Sequence, residues 1–360
     1  MKKNEKFANI EKNLIDFTQD NDYHAGSKAR TDVDNILKSN DFNYICIDIK
    51  KSDALKKVTD KISLIREVYK KLCHIHKESI VLLQYPFLSN RTVFFAIKII
   101  CILKRSKFIV LVHDIESIRE KKEKNVILKE IKLLKLSDYL IVHNFNMKTM
   151  LQQYDNCFDN KAYELNLFDY VIANDRLEKT KMSKKVIIAG NLSPDKSPYV
   201  YKLNALNLKN TFIDLYGVNY IGLPHKSIQY RGVFSPENIP FHEGFGLVWD
   251  GDSIDTCSGK TGEYTRINNP HKLSLYMAAG IPVIVWKESA IAKFVQENNV
   301  GFCVDSLYEI DELIGNVTEE TYRELVKNVK PISERVHTGY YTLNVLDKIY
   351  SDMIKRQEHI

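Results

Sequence analysis

Short apolar runs alternate along this chain with longer segments in which apolar residues recur at helical spacing. In the first half the runs fall at residues 14–17, 44–47, 80–84, 108–113 and 139–142. Segments 60–76 and 91–104, between them, are long enough for crossover helices. The scheme restarts in the second half, with runs at 185–189, 212–216, 246–249, 281–285 and 301–304. Strand–helix alternation of this kind predicts parallel sheets with helices on both faces, an α/β fold. The polar, basic stretch 174–184 precedes a fresh strand and marks the expected boundary, giving one domain over 1–180 and another over 181–335. The closing segment, 336–360, reads as a single helix.

Segment 115–136 departs from the scheme. Its first part mixes Arg119, Lys121, Lys122 and Lys124 with glutamates, and its second carries an apolar stripe of Ile127, Ile131 and Leu134. Such a segment is either a solvated helix packed on the sheet or a surface helix that touches anionic lipid.

Composition narrows the class without deciding it. A chain of 360 residues with 44% hydrophobic and 27% charged residues fits a soluble two-domain protein. The net charge of +6 admits an anionic substrate or an anionic membrane surface and does not call for nucleic acid. The six cysteines are scattered without C-x-x-C spacing, so reduced, metal-free thiols are expected. The N-terminus is basic but has no apolar signal core, and no apolar run is long enough to span a bilayer, so a cytoplasmic location is expected. No G-x-G-x-x-G follows the first apolar run and no P-loop is present, which disfavours a dinucleotide oxidoreductase and a P-loop NTPase.

Candidate chemistry concentrates in residues 241–286. An apolar run ends at Asp250-Gly251-Asp252, a polar loop follows, and Asn269-Pro270-His271-Lys272 opens a helical segment that Gly280 closes. A helix N-terminus favours anions. A lysine in the first turn opposes the helix dipole, so a ligand anion such as a nucleoside diphosphate explains Lys272. Asn269 and His271 are drawn into the same site, although a histidine there serves equally well for capping or packing. The loop Gly190-Asn191-Leu192-Ser193-Pro194-Asp195-Lys196 follows a predicted strand. Gly190 lets the backbone approach a ligand, Asn191 and Ser193 can donate hydrogen bonds, and Lys196 offers a second cation. Tyr216 closes another strand and can meet a nucleobase; an ordinary sheet aromatic is the alternative. Asp250 and Asp252 form a D-x-D pair, but late in the chain, where hydrogen bonding of Asp250 to sugar hydroxyls is preferred over a metal site. In the first half, His24 and Asp114 follow predicted strands and are the rival general bases. Gly26 and Ser27 can present backbone N–H groups at a helix start.

Several of these segments carry a resemblance. FGLVWDGDS, the NNPHK helix start, AAGIPVIVW, AGSKAR at 25–30 and AGNLS at 189–193 are similar to bacterial galactofuranosyltransferases of O-antigen and capsule assembly. More distantly they resemble the glucosyltransferases that extend N-acetylglucosamine on serine-rich adhesins. The likeness runs from about residue 13 to the end. It implies a GT-B fold, two Rossmann-like domains facing across a cleft, with the last helix crossing back to the first domain. It implies a UDP-sugar donor on the second domain, a glycan acceptor, lipid-linked, on the first, and no metal or other cofactor. Asp114 recurs in both groups, whereas the galactofuranosyltransferases can carry aspartate where His24 stands. Retaining GT-B enzymes of the E-x7-E class place glutamate where Leu275 stands, so an inverting displacement is expected. The sugar expected first is galactofuranose; the alternatives are UDP-glucose transfer to a glycan-bearing protein and a non-catalytic sugar-nucleotide-binding subunit. A homo-oligomer is compatible with all three.

Overall fold

The computed structural model describes residues 10–17, 25–47, 58–87, 91–172, 181–223 and 226–358. Its strands form two parallel sheets. The first contains β1 (Lys12–Phe17), β2 (Phe42–Ile47), β3 (Ile80–Tyr85), β4 (Lys107–Val112), β5 (Tyr139–Val142) and β6 (Ala162–Glu164), in the order β2-β1-β3-β4-β5-β6. The second contains β7 (Lys181–Asn191), β8 (Phe212–Val218), β9 (Ile228–Gly232), β10 (Glu243–Val248), β11 (Val283–Trp286) and β12 (Gly301–Val304), in the order β12-β11-β10-β7-β8-β9.

Central strands are buried on both faces, as their unbroken apolar runs require. Every residue of β3, β5 and β11 is buried. The outer strands β6 and β9, absent from the sequence expectation, are short or polar; β9 buries only Ile228. In each sheet the strand order reverses once, between β1 and β3 in the first and between β7 and β10 in the second. Ligands of open parallel sheets bind outside the carboxyl ends of the strands at such reversals.

Compactness groups the chain into two units. Among the described residues the first takes 10–17, 33–165 and 342–358, and the second takes 25–32 and 166–341. The second sheet begins at Lys181, within one residue of the expected boundary, yet the chain changes unit already at 165/166. Side chains of the second unit tie segment 166–171 into it. Asn269 Nδ2 donates to the Asn166 carbonyl at 2.8 Å, and Ser274 Oγ donates to the Phe168 carbonyl at 2.7 Å. The buried Lys28 ammonium, on the helix Ala25–Lys38, donates to the Val171 carbonyl and to Asp32 Oδ1, and pairs with Glu237 at 2.8 Å.

The expected C-terminal helix is Tyr340–Glu358, starting four residues later than the sequence suggests, after the helix Glu319–His337. Gly339, at φ +73°, separates them. Residues 342–358 of the last helix group with the first unit. Segment 115–136 forms Glu116–Arg119 and Lys124–Leu134. Its stripe turns inward, with Ile131 and Leu134 buried and Ile127 half-buried. It is therefore the packed, solvated helix, and the lipid reading of that stripe fails. None of the six cysteines forms a disulfide; Cys101 and Cys257 are buried, while Cys46 is only half-buried.

Candidate functional site

The carboxyl ends of β7, β8 and β10 assemble one polar cluster, in the second unit. Lys272 lies in the first turn of the helix His271–Ala278. Side chains on a helix lean toward its N-terminus, and Lys272 follows this rule, reaching the end of β10. Its Nζ donates to the Trp249 carbonyl at 2.9 Å and to Asp250 Oδ1 at 2.8 Å. The side chain keeps 18% exposure, so one face of the ion pair is open to a ligand. Gly190 faces it from the end of β7. A Cβ there would lie 3.7 Å from Lys272 Cε, and the backbone holds φ at +140°.

The neighbouring strand makes this approach possible. Gly217 of β8 pairs with Gly190, and a Cβ on it would lie 1.7 Å from the Gly190 carbonyl oxygen. Behind the pair, the buried Tyr276 hydroxyl accepts from Ala189 N and donates to the Ile187 carbonyl, each at 3.0 Å. Asn191 Oδ1 accepts from Ser193 N at 3.1 Å and from Asn219 Nδ2 at 3.2 Å. Asn191 thus shapes the loop with its amide oxygen. Ser193 contributes its backbone N–H and carbonyl to the same turn. Lys196, at the turn's end, is exposed and makes no ion pair among the described residues.

The remaining expected residues divide. Asp250 joins the cluster, with its Oδ1 bonded to the Lys272 ammonium. No group of three or more His, Cys, Asp or Glu with metal-binding geometry occurs among the described residues. Asn269 is buried and its amide anchors the Asn166 carbonyl, a structural role in place of the expected donor contact. His271 packs between Tyr170, stacked at 5.1 Å, and Phe168, edge-on at 6.1 Å. Its Nε2 is buried without a partner. Burial, helped by the nearby Lys28 charge, draws its pKa down to about 4. His271 is therefore a neutral packing residue, and the donor-binding expectation for it fails. Pro270 precedes the helix as its cap residue and does not fill the first turn. Tyr216 is half-buried against Phe241 at 5.1 Å and Phe234 at 6.1 Å, the sheet-aromatic alternative.

In the first unit, Asp114 follows β4 and its Oδ2 accepts from Arg119 Nη1 at 2.5 Å. His113 Nε2 lies 2.6 Å from Gln84 Oε1, and Gln84 Nε2 donates to Asp34 at 2.7 Å. This network holds the strand end beside Asp114. His24 lies outside the described residues. Gly26 and Ser27 occupy the first turn of the helix Ala25–Lys38, which groups with the second unit up to Asp32.

Comparison with known proteins now bears on this geometry. Two family models match: glucosyltransferase 3-like N-terminal domain over residues 11–167, and glucosyltransferase 3-like C-terminal domain over residues 186–349. The chain is 31% identical over 339 residues to beta-1,6-galactofuranosyltransferase WbbI of Escherichia coli (strain K12), covering 92% of this chain and 96% of that protein. The chain belongs to the glucosyltransferase 3-like family of glycosyltransferases. It is also 26% identical over 245 residues to glucosyltransferase 3 of Streptococcus gordonii, covering 67% and 70% of the two chains. Among solved structures, Anabaena Alr3699/HepE in complex with UDP and glucose superposes with a TM-score of 0.60 at 12% identity, over 95% of this chain and 99% of that one. The lipopolysaccharide outer core galactosyltransferase WaaB, in its apo form, gives 0.56 at 12%, over 95% and 99%. With two parallel-sheet units, these neighbours make the fold GT-B.

Within this glucosyltransferase 3-like chain, three contributors to the site escaped the sequence reading: Gly217, Asn219 and Tyr276. Gly217 and Asn219 were visible as a strand end. Nothing in the sequence marks which backbone atoms the Tyr276 hydroxyl bridges.

Proposed function

We propose that this glycosyltransferase moves a hexosyl unit from a UDP-sugar to a hydroxyl of a growing surface glycan, with UDP-galactofuranose as the donor. The observation that carries the reading is the meeting of Gly190 and Lys272 at the β7/β10 reversal of the second sheet. A bare backbone, a fixed cation and a helix start converge there, the set a leaving diphosphate requires. No metal is needed in this reading, because Lys272 and the helix start carry the developing charge.

The reaction is a direct displacement with inversion. The acceptor oxygen forms a bond to the anomeric carbon, the bond from that carbon to the diphosphate breaks, and UDP leaves with the electron pair. A general base takes the acceptor proton, and Asp114 is assigned that role, with His24 its rival. The acceptor is a lipid-linked glycan.

Likeness to WbbI supports galactofuranose. The family models and the streptococcal relatives are named for glucosyl transfer, which keeps UDP-glucose as the second reading. UDP release measured with the two donors side by side separates them. Faster release with UDP-galactofuranose is expected; release from UDP-glucose alone would replace the first reading by the second.

A further inference from the structure

An unexplained feature of the first unit is an apolar surface built by two helices. Val58–Leu72 and Arg91–Lys104 pack against each other, and each turns a second apolar stripe outward. Ile62, Ile65 and Tyr69 recur at helical spacing on one, and Phe95, Ile99, Ile102 and Leu103 on the other. These side chains are far more open than a core allows: Tyr69 is 60% exposed, Ile99 55%, Ile102 61% and Leu103 71%. Between the helices runs a groove of about 570 Å³, lined by Ile65, Tyr69, Phe95, Ile99 and Leu103, with Arg91 at one end. A contiguous apolar patch of this kind marks an interaction surface.

Its charges select the partner. Arg66, Lys70, Lys71, Arg91 and Arg105 are exposed on or beside the two helices, against the exposed Glu78 next to the end of the second. Among the described side chains of these helices the one acidic group is Glu67, half-buried. Lys98 is paired with Asp138 at 2.9 Å and lies apart from this set. A two-fold contact between copies would set like charges against like, because both sides present the same patch. An anionic lipid surface satisfies both features: the stripes enter the headgroup boundary and the cations meet lipid phosphates. No described helix is long and apolar enough to cross a membrane, so the contact is made in the interface plane.

The geometry points to this two-helix face as a docking surface for an anionic bilayer. The inference rests on first-unit side chains alone and holds whichever sugar is transferred. The test is co-sedimentation of the full chain with vesicles of phosphatidylglycerol and phosphatidylcholine in equal parts, and with phosphatidylcholine alone. Binding is expected to the anionic vesicles, weakening as salt is raised, and to be at least about tenfold poorer on phosphatidylcholine. The double variant Ile99→Glu/Leu103→Glu, both exposed, should lose anionic-vesicle binding by about tenfold or more while releasing UDP from its donor as the wild type does on a soluble acceptor. A second variant, Arg66→Gln/Lys70→Gln/Lys71→Gln, should weaken binding without touching the apolar stripe. No wild-type binding, or equal binding to both vesicle types, overturns the inference. So does light scattering that shows a wild-type dimer turned monomeric by Ile99→Glu/Leu103→Glu, which would give the face to a second copy of the chain. Loss of UDP release with vesicle binding intact would count against the transferase reading and leave the docking surface standing.

Discussion

His271 shows how one residue's environment overrules its position. It begins the helix that carries Lys272, yet its ring lies between Tyr170 and Phe168 and its Nε2 has no partner. Burial lowers its pKa from 6.5 to about 4. The unfolded chain therefore binds this proton more readily between those values, and the stability it contributes above pH 6.5 is lost as pH falls through 4. His143, buried in the first unit with Nε2 3.1 Å from the Val112 carbonyl, is drawn down to about 4 in the same way. Asp32 acts in the opposite sense. Burial raises it from 3.8 to about 6 against the pull of Lys28, so its contribution is complete below 3.8 and is lost as pH rises through 6. Replacing His271 by phenylalanine should therefore flatten the fall of unfolding free energy between pH 6.5 and 4, followed by urea denaturation at several pH values. The same variant should bind UDP as the wild type does; a tenfold loss would restore His271 to the donor site. Asp114 makes the complementary residue-scale prediction. A general base typically contributes about 10²–10⁴-fold in rate. Asp114→Asn should lower turnover by that order while UDP affinity, measured by calorimetry, stays put. Normal turnover would pass the role to His24 or to another group.

At the scale of elements, the pairing of β7 with β8 is what allows Gly190 to meet Lys272. Gly217→Ala would push a methyl group to 1.7 Å from the Gly190 carbonyl oxygen at φ +148°. Backbone strain of this kind costs about 1–3 kcal/mol before the strands part, and relieving the clash breaks the pairing. A clear drop in denaturation midpoint together with loss of UDP binding is expected; an unchanged midpoint would show that this close approach is not required. The elements themselves were unevenly legible. Central strands such as β3 and β11 announce themselves as apolar runs because both faces are buried. The edge strands β6 and β9 do not, because an exposed edge is kept short or polar. The last helix starts at Tyr340 and not at 336, because Gly339 takes a positive φ of +73° that apolar spacing does not mark. The short helix Gly259–Tyr264 sits in what reads as a polar loop, rich in glycine. At the site, spacing and the family resemblance together singled out Gly190, Asp250 and Lys272, which the structure brings into one cluster. They could not say that Asn269 and His271 turn inward, since burial depends on residues 166–171, a hundred positions away in sequence.

The whole molecule comprises two parallel-sheet units. In the proposed function the second holds a nucleoside diphosphate at its β7/β10 reversal, and the first supplies the base. Everything turns on the first of these tasks. The most direct measurement is calorimetric titration of UDP into the full chain, wild type and Lys272→Gln, in the presence of a chelator. Glutamine removes the charge, and with it the ion pair to Asp250, while keeping an N–H donor on a side chain one bond shorter. A charge-assisted contact to phosphate is worth about 1.5–3 kcal/mol. The account predicts that the wild type binds UDP without a divalent metal, and that Lys272→Gln, melting with the wild type, binds at least about tenfold more weakly. Wild-type binding that appears only when manganese replaces the chelator, or equal affinity in the two proteins, would contradict it.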